Sequence, residues 1–178
     1  MGIDRIILDF IQTYMRCGFL DMAMPIITKL GDKGIFWIIC SLLLILFPKT
    51  RKAGITMAVS LGLEALCCNV LLKPLVARTR PFDVNTTLQL LIPRPDDFSF
   101  PSGHTGASFA AASTLLFGKN RMGPPALILA ALIGFSRLYL YVHYPTDVLA
   151  GAALGILFGW IGNTVVEALR SQRRQSLS

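Results

Sequence analysis

The chain has 178 residues, 53% of them hydrophobic and only 15% charged, with a mean hydropathy of +0.60. That composition excludes an ordinary water-soluble domain and fits an integral membrane protein, with length for one bundle of a few helices and little besides. The formal net charge of +7 would suit either nucleic acid or the cytoplasmic loops of a membrane protein, and the placement of the basic residues decides for the second, with no nucleic-acid partner expected.

The N-terminus reads MGIDRIILDF, without a basic region ahead of an apolar core or a small-residue cleavage site, so no removable signal peptide is expected. Ile3, Ile6, Ile7, Phe10, Ile11 and Tyr14 share one helical face, and Asp4, Arg5, Asp9, Gln12 and Arg16 lie elsewhere. This pattern predicts an amphipathic helix within residues 1–18 lying on the membrane surface; a first transmembrane helix with badly placed charges is the alternative. The following LDMAMPIITKLGDKG is broken by Pro25, Gly31 and Gly34 and leads into the first span rather than crossing alone. Apolar segments then fall at about 33–47, 53–78, 102–118, 123–143 and 146–169, the first of them short. Judged against the ~20 residues that cross a bilayer core, they predict an all-α multipass membrane bundle of five to six transmembrane helices. Cys17, Cys40, Cys67 and Cys68 lie in or beside these segments without metal-ligand or disulfide spacing and read as packing residues.

Basic clusters at 48–52, 118–121 and 170–174 alternate so as to share one side, which the positive-inside rule makes the cytoplasm. The 80–100 connection and the turn at 144–146 then lie outside, yet that side also carries Lys73, Arg78, Arg80, Arg94 and Arg137. Cations held against the topological trend imply a bound anion or carboxylate partners.

Three patches sit at that level. In KPLVARTRP, Lys73 and Arg80 are seven residues apart, two helical turns, on a helix that Pro81 is expected to terminate. A snorkelling pair at a helix end is the plain alternative. In PSGHTGAS, the lead-in to a small-residue helix leaves free backbone N–H groups and the positive end of the helix dipole for a phosphate, with His104 in the first turn; ordinary capping by Ser102 is the alternative. In SRLYLYVHYPTD, Asp147 follows His143 by four residues, close enough to accept a hydrogen bond from one imidazole nitrogen and turn the other outward as a nucleophile. A satisfied interfacial hydrogen bond is the alternative there. The balance shifts because the chain has two histidines and both fall among the misplaced cations.

In order and spacing, Lys73 to Pro81 (K-x6-RP), Pro101 to His104 (PSGH) and Ser136 to Asp147 (SR-x5-H-x3-D) resemble the signature of the type 2 phosphatidic acid phosphatase superfamily. The resemblance covers roughly residues 50–165 of a single domain spanning 1–178. It implies the helical fold shared with haloperoxidases and a phosphatase using a phosphohistidine on His143, oriented by Asp147, with His104 as general acid. Lys73, Arg80 and Arg137, with Ser102 and the Gly103 N–H, would hold the phosphate, and no metal or cofactor would be needed. Tyr141 stands where many members carry a small residue, and is expected to narrow the pocket.

The implied substrate is a membrane lipid phosphate or diphosphate met at the extracytoplasmic face of the cell membrane: undecaprenyl diphosphate first, phosphatidylglycerophosphate or phosphatidate next. A lipid phosphotransferase and a non-catalytic lipid-phosphate binder or transporter are the rivals. The 80–100 connection is either a lid or a passive tether. Glu64, about two turns before Lys73, is expected to make a packing hydrogen bond below the phosphate.

Overall fold

The computed structural model describes residues 2–175, apart from the side chains of residues 173 and 174. Met1, residues 176–178 and the Arg173 and Arg174 share of the basic cluster at 170–174 lie outside the described residues. Every regular element among the described residues is helical.

Helix α1 (Ile3–Phe10) continues through a π-helical turn, Ile11–Met15. Its amphipathic pattern is met with the polar side turned toward the protein. Asp9 accepts from the Tyr141 hydroxyl at 3.1 Å, Gln12 donates to the Tyr139 carbonyl at 2.8 Å, and Asp4 accepts from the Thr146 N–H at 3.0 Å. Leu8 and Ile11 are buried among Tyr139, Leu140 and Val142, worth about 2 kcal/mol each. Ile3, Ile6, Phe10 and Tyr14 remain exposed, an apolar stripe that a lipid interface accommodates and water does not.

Helix α2 (Gly18–Lys29) carries Pro25 inside and ends in a tight 3₁₀ turn, Asp32–Gly34, before α3 (Ile35–Leu46). Helix α4 (Arg51–Glu64) runs on through a π-helical stretch, Ala65–Leu72, into the short α5 (Lys73–Val76). After α6 (Pro81–Val84) the connection is irregular until α7 (Gly103–Phe117), followed by α8 (Gly123–Tyr139) and α9 (Pro145–Gln175). The helices fall close to the apolar segments read from the sequence. Two stretches are long and apolar enough to cross a membrane, Arg51–Val84, which joins α4 to α6 across the turn at Ala77, and Pro145–Gln172 within α9; Gly123–Tyr139 is shorter.

Helix α7 is the centre of the bundle, packed most extensively on α9 and then on α8 and α4. Its small residues allow this. A Cβ on Gly151 would lie 2.6 Å from the Ser102 carbonyl oxygen, and one on Gly155 2.8 Å from the Ala110 nitrogen, so α9 approaches to backbone contact. Polar groups on α7 are satisfied inside the bundle: Ser108 accepts from the Trp37 indole at 2.9 Å, and Thr114 donates to Ser60 at 2.8 Å. At one end, Lys52 pairs with Glu167 at 2.7 Å, bringing the 48–52 cluster beside the end of α9. Asn163 donates to the Thr114 carbonyl at 3.1 Å, placing the 118–121 turn there too. The three signature patches gather at the other end.

Candidate active site

The K-x6-RP patch reaches its geometry by a different route from the one its spacing predicts. Pro81 does not terminate the helix; it opens α6. The helix ends at Val76, where Ala77 turns the chain in the left-handed region with φ 46°. Lys73 and Arg80 nevertheless converge, both buried, on the carboxylate of Asp97 from the long connection. Lys73 Nζ meets Asp97 Oδ2, Arg80 Nη2 donates to Oδ1 at 2.5 Å, and Arg80 Nε donates to the Asp97 carbonyl at 2.7 Å. Partial burial alone would raise the Asp97 carboxyl, but the hydrogen bonds and charges of Lys73 and Arg80 bring it down to about 2. It is therefore ionised throughout the neutral range, and a competing anion rather than a proton must separate it from the two cations.

The SR-x5-H-x3-D patch spans the end of α8, a tight loop and the start of α9. Tyr141 sits in that loop with φ 59°, a left-handed conformation in which a glycine would be unstrained. Its ring is buried and its hydroxyl turns to Asp9 on α1, so it does not narrow the pocket as expected; it anchors the N-terminal helix. His143 Nε2 lies 3.2 Å from Arg80 Nη1. A guanidinium has no acceptor, so Nε2 presents its lone pair and the ring proton resides on Nδ1. Nδ1 faces Asp147 Oδ2 at 3.6 Å, ion-pair range but too long for a hydrogen bond, and it has no hydrogen-bond partner.

Asp147 is itself fixed from behind. Ser99 donates to Oδ2 at 2.5 Å and the Tyr144 N–H at 2.9 Å, while Arg78 donates to Oδ1 at 2.5 Å. Arg78 lies over the Tyr144 ring at 4.0 Å and reaches Asp4 of α1 at 2.7 Å. The carboxylate has little freedom left, which is what an imidazole-orienting group needs.

The PSGH patch is joined to this one through the backbone, the Ser102 N–H donating to the Asp147 carbonyl at 3.1 Å. Ser102 is fully buried and its hydroxyl pairs with that of Thr105 at 2.9 Å, so the side chain does not line the cavity; Gly103 does. His104 Nε2 is 2.7 Å from Asp32 Oδ1 in the turn before α3. Arg137, 2% exposed, donates to Thr28 Oγ1 at 2.5 Å, and its Nε has no hydrogen-bond partner.

A cavity of about 1150 Å³ is lined by Lys73, Arg80, Gly103, His104, Arg137 and His143 together. Glu64 also lines it, closer to the site than the sequence places it, buried against Gly106 with Oε1 lacking a hydrogen-bond partner. Among the described residues, no group of three or more His, Cys, Asp and Glu side chains is placed to hold a metal ion. The arrangement provides a fixed imidazole lone pair, a second imidazole and three cations around one space, the parts that transfer of a phosphoryl group requires. Asp97, Asp32, Thr28, Arg78 and Ser99 lie around it, and of these only Arg78 carries a signal in the sequence, as a cation that the loop-charge pattern leaves unexplained.

Known proteins agree with the fold and with a phosphatase activity. Residues 53–171 match the PAP2 superfamily. An undecaprenyl-diphosphatase of Sulfolobus acidocaldarius is 37% identical over 149 residues, 83% of this chain and 70% of that protein. The crystal structure of Aquifex aeolicus LpxE superposes with a TM-score of 0.76 at 27% identity, over 91% of this chain and 95% of that one. The transmembrane PAP2-type phosphatidylglycerolphosphate phosphatase of Bacillus subtilis superposes with a TM-score of 0.72 at 28% identity, over 95% and 85%. The chain belongs to the PAP2 superfamily and is a membrane lipid phosphatase of all-α fold.

Proposed function

We propose that this single-domain phosphatase hydrolyses a polyprenyl diphosphate, undecaprenyl diphosphate first, at the extracytoplasmic face, through a phosphohistidine on His143 and without a metal ion. The observation that carries the chemistry is the His143 Nε2 lone pair held 3.2 Å from Arg80 Nη1, beside the cations that would hold a phosphate. The substrate reading draws on the 37% identical relative, an undecaprenyl-diphosphatase. Phosphatidylglycerophosphate or phosphatidate comes next, as the Bacillus subtilis structural neighbour suggests. The face is supported by the site's position at the bundle end away from Lys52 and Arg121.

As Arg80 Nη1 turns its N–H from Nε2 to a nonbridging oxygen, the freed Nε2 lone pair attacks phosphorus in line with the leaving oxygen. Lys73, Arg80, Arg137 and the Gly103 N–H take up the charge on the nonbridging oxygens, the work that magnesium does in many phosphoryl-transfer sites. His104 gives its proton to the leaving group. Asp147 supports the positive charge that grows on the His143 ring. Water then attacks the phosphorus as His104 takes its proton back, His143 leaves, and inorganic phosphate is released.

Phosphate release from undecaprenyl diphosphate, phosphatidylglycerophosphate and phosphatidate by the purified chain, with chelator present, tests this. The prenyl diphosphate is expected to lead in kcat/KM by about tenfold. Preference for a glycerolipid would reassign the substrate, loss on chelation would contradict the metal-free mechanism, and transfer to a lipid acceptor would make the protein a phosphotransferase.

Asp97 competes with the substrate for Lys73 and Arg80. Asp97→Asn is therefore expected to tighten inhibition by inorganic phosphate about three- to tenfold, equivalent to ~1 kcal/mol for a half-exposed ion pair. Weaker inhibition would mean that Asp97 positions the cations instead of blocking them.

A further inference from the structure

The end of α2 and the turn that follows it each touch the site, although both precede residues 53–171, over which the chain matches its superfamily. Thr28 accepts from Arg137, and Asp32 Oδ1 lies 2.7 Å from His104 Nε2. The turn is built to make the second contact. Lys33 at φ 49° and Gly34 at φ 66° are consecutive left-handed residues, a reversal just after Asp32 in a turn that packs on α7. A Cβ on Gly31 would lie 2.8 Å from His104 Cδ2 and 2.9 Å from Ile133 Cγ2, so the backbone of the turn rests on the imidazole ring itself.

An ionised carboxylate only accepts, so the Asp32 contact requires a proton on His104 Nε2. We infer that Asp32 is the positioning carboxylate of the general acid, orienting His104 and stabilising its imidazolium form, so that the site holds two His–Asp pairs, one for the nucleophile and one for the acid. The second pair differs from the first in exposure. Asp147 is fully buried, whereas the Asp32 side chain is 56% exposed, at the wall of the cavity. With Asp32 on Nε2, the Nδ1–H of the imidazolium is the proton that passes to the leaving oxygen as the bond from phosphorus to that oxygen breaks. The inference rests on the proposed phosphatase mechanism and adds to it a carboxylate from outside the three signature patches.

The experiment separates acid catalysis from structural support by the leaving group. Two phosphate monoesters are compared with the full chain: phosphatidate, whose alkoxide must be protonated, and p-nitrophenyl phosphate, whose phenolate needs no proton. Asp32→Asn is expected to lower kcat/KM on phosphatidate, which reports the step in which the leaving group departs, about 10- to 100-fold, part of the ~10²–10⁴ that a general acid contributes. On p-nitrophenyl phosphate the loss in kcat/KM should stay below about threefold. His104→Asn should show the same split, more strongly, and Asp32→Glu should recover part of the phosphatidate rate. Equal loss on both esters, or a parental rate on phosphatidate, would overturn the inference; a thermal midpoint in detergent distinguishes equal loss by misfolding, which would also assign Asp32 to structure. His143→Ala belongs in the same assay. Retention of both activities in that variant would overturn the proposed mechanism, whatever Asp32 does.

Discussion

Replacing His143 by alanine is expected to lower kcat by at least ~10⁴-fold, about 5.5 kcal/mol of transition-state stabilisation, while leaving phosphate binding within about threefold of the parent. The separation follows from what the imidazole touches. Nδ1 makes no hydrogen bond, and Nε2 meets one Arg80 nitrogen that is already satisfied by the Val142 carbonyl at 2.6 Å. Asp147 keeps Ser99, Arg78 and the Tyr144 N–H, so the variant loses the attacking atom without releasing a network. Turnover of undecaprenyl diphosphate and inhibition by inorganic phosphate check both halves. Brief reaction of the parent with labelled substrate should yield an acid-labile phosphoenzyme that the variant does not form. Normal turnover would remove the phosphohistidine from the mechanism; joint loss of turnover and phosphate binding would mean that His143 holds the anion.

The helices and the three signature patches could be read from the sequence because each is local. Apolar runs mark the spans, PSGH stands at a helix start, and a histidine four residues before an aspartate is a spacing that needs no third element. The partners of those residues are of another kind. Asp32 stands in LGDKG, which reads as a broken turn, and it reaches His104 across 72 positions; Thr28 reaches Arg137 across 109 and Asp4 meets Thr146 across 142. No periodicity links such pairs, since a turn that reverses at Lys33 and Gly34 owes its direction to backbone dihedrals and not to a hydrophobic pattern. The Lys73 and Arg80 spacing shows that a correct grouping can come from an incorrect path. Two helical turns were expected to align them, but the helix stops at Val76, and a left-handed Ala77 with a new turn at Pro81 brings Arg80 back to the same carboxylate. Tyr141 could not be placed for a related reason: alternation within the loop does not say which side of a reversal faces the cavity. The single cue that pointed beyond the signatures was electrostatic. Arg78, a cation that the positive-inside expectation leaves without a topological role, links Asp4 to Asp147.

Arg137→Met is expected to change activity and stability in opposite directions. Arg137 is 2% exposed, with one hydrogen bond, to Thr28, and an Nε that has no partner. It makes no ion pair within 4 Å among the described residues, and Arg80 belongs to the same cavity. A buried charge so poorly paired opposes folding. A phosphate between Arg80, Lys73 and Arg137 would neutralise it, and most strongly in the transition state, where charge on the nonbridging oxygens is taken up by donors already in place. Methionine fills similar volume without charge. The variant should therefore lose about 10³-fold in kcat/KM, ~4 kcal/mol, the upper range for removal of one preorganised donor. Its thermal midpoint in detergent should equal or exceed that of the parent, because removal of the charge outweighs the ~1 kcal/mol lost when Thr28 gives up its donor. Arg137→Lys keeps the charge without the planar fork and should fall between the two in activity. Saturating inorganic phosphate sharpens the comparison: it should raise the midpoint of the parent and leave that of Arg137→Met nearly unmoved, since a ligand stabilises only the fold that binds it. A variant that melts well below the parent would show that Arg137 holds α8 against α2 rather than holding substrate.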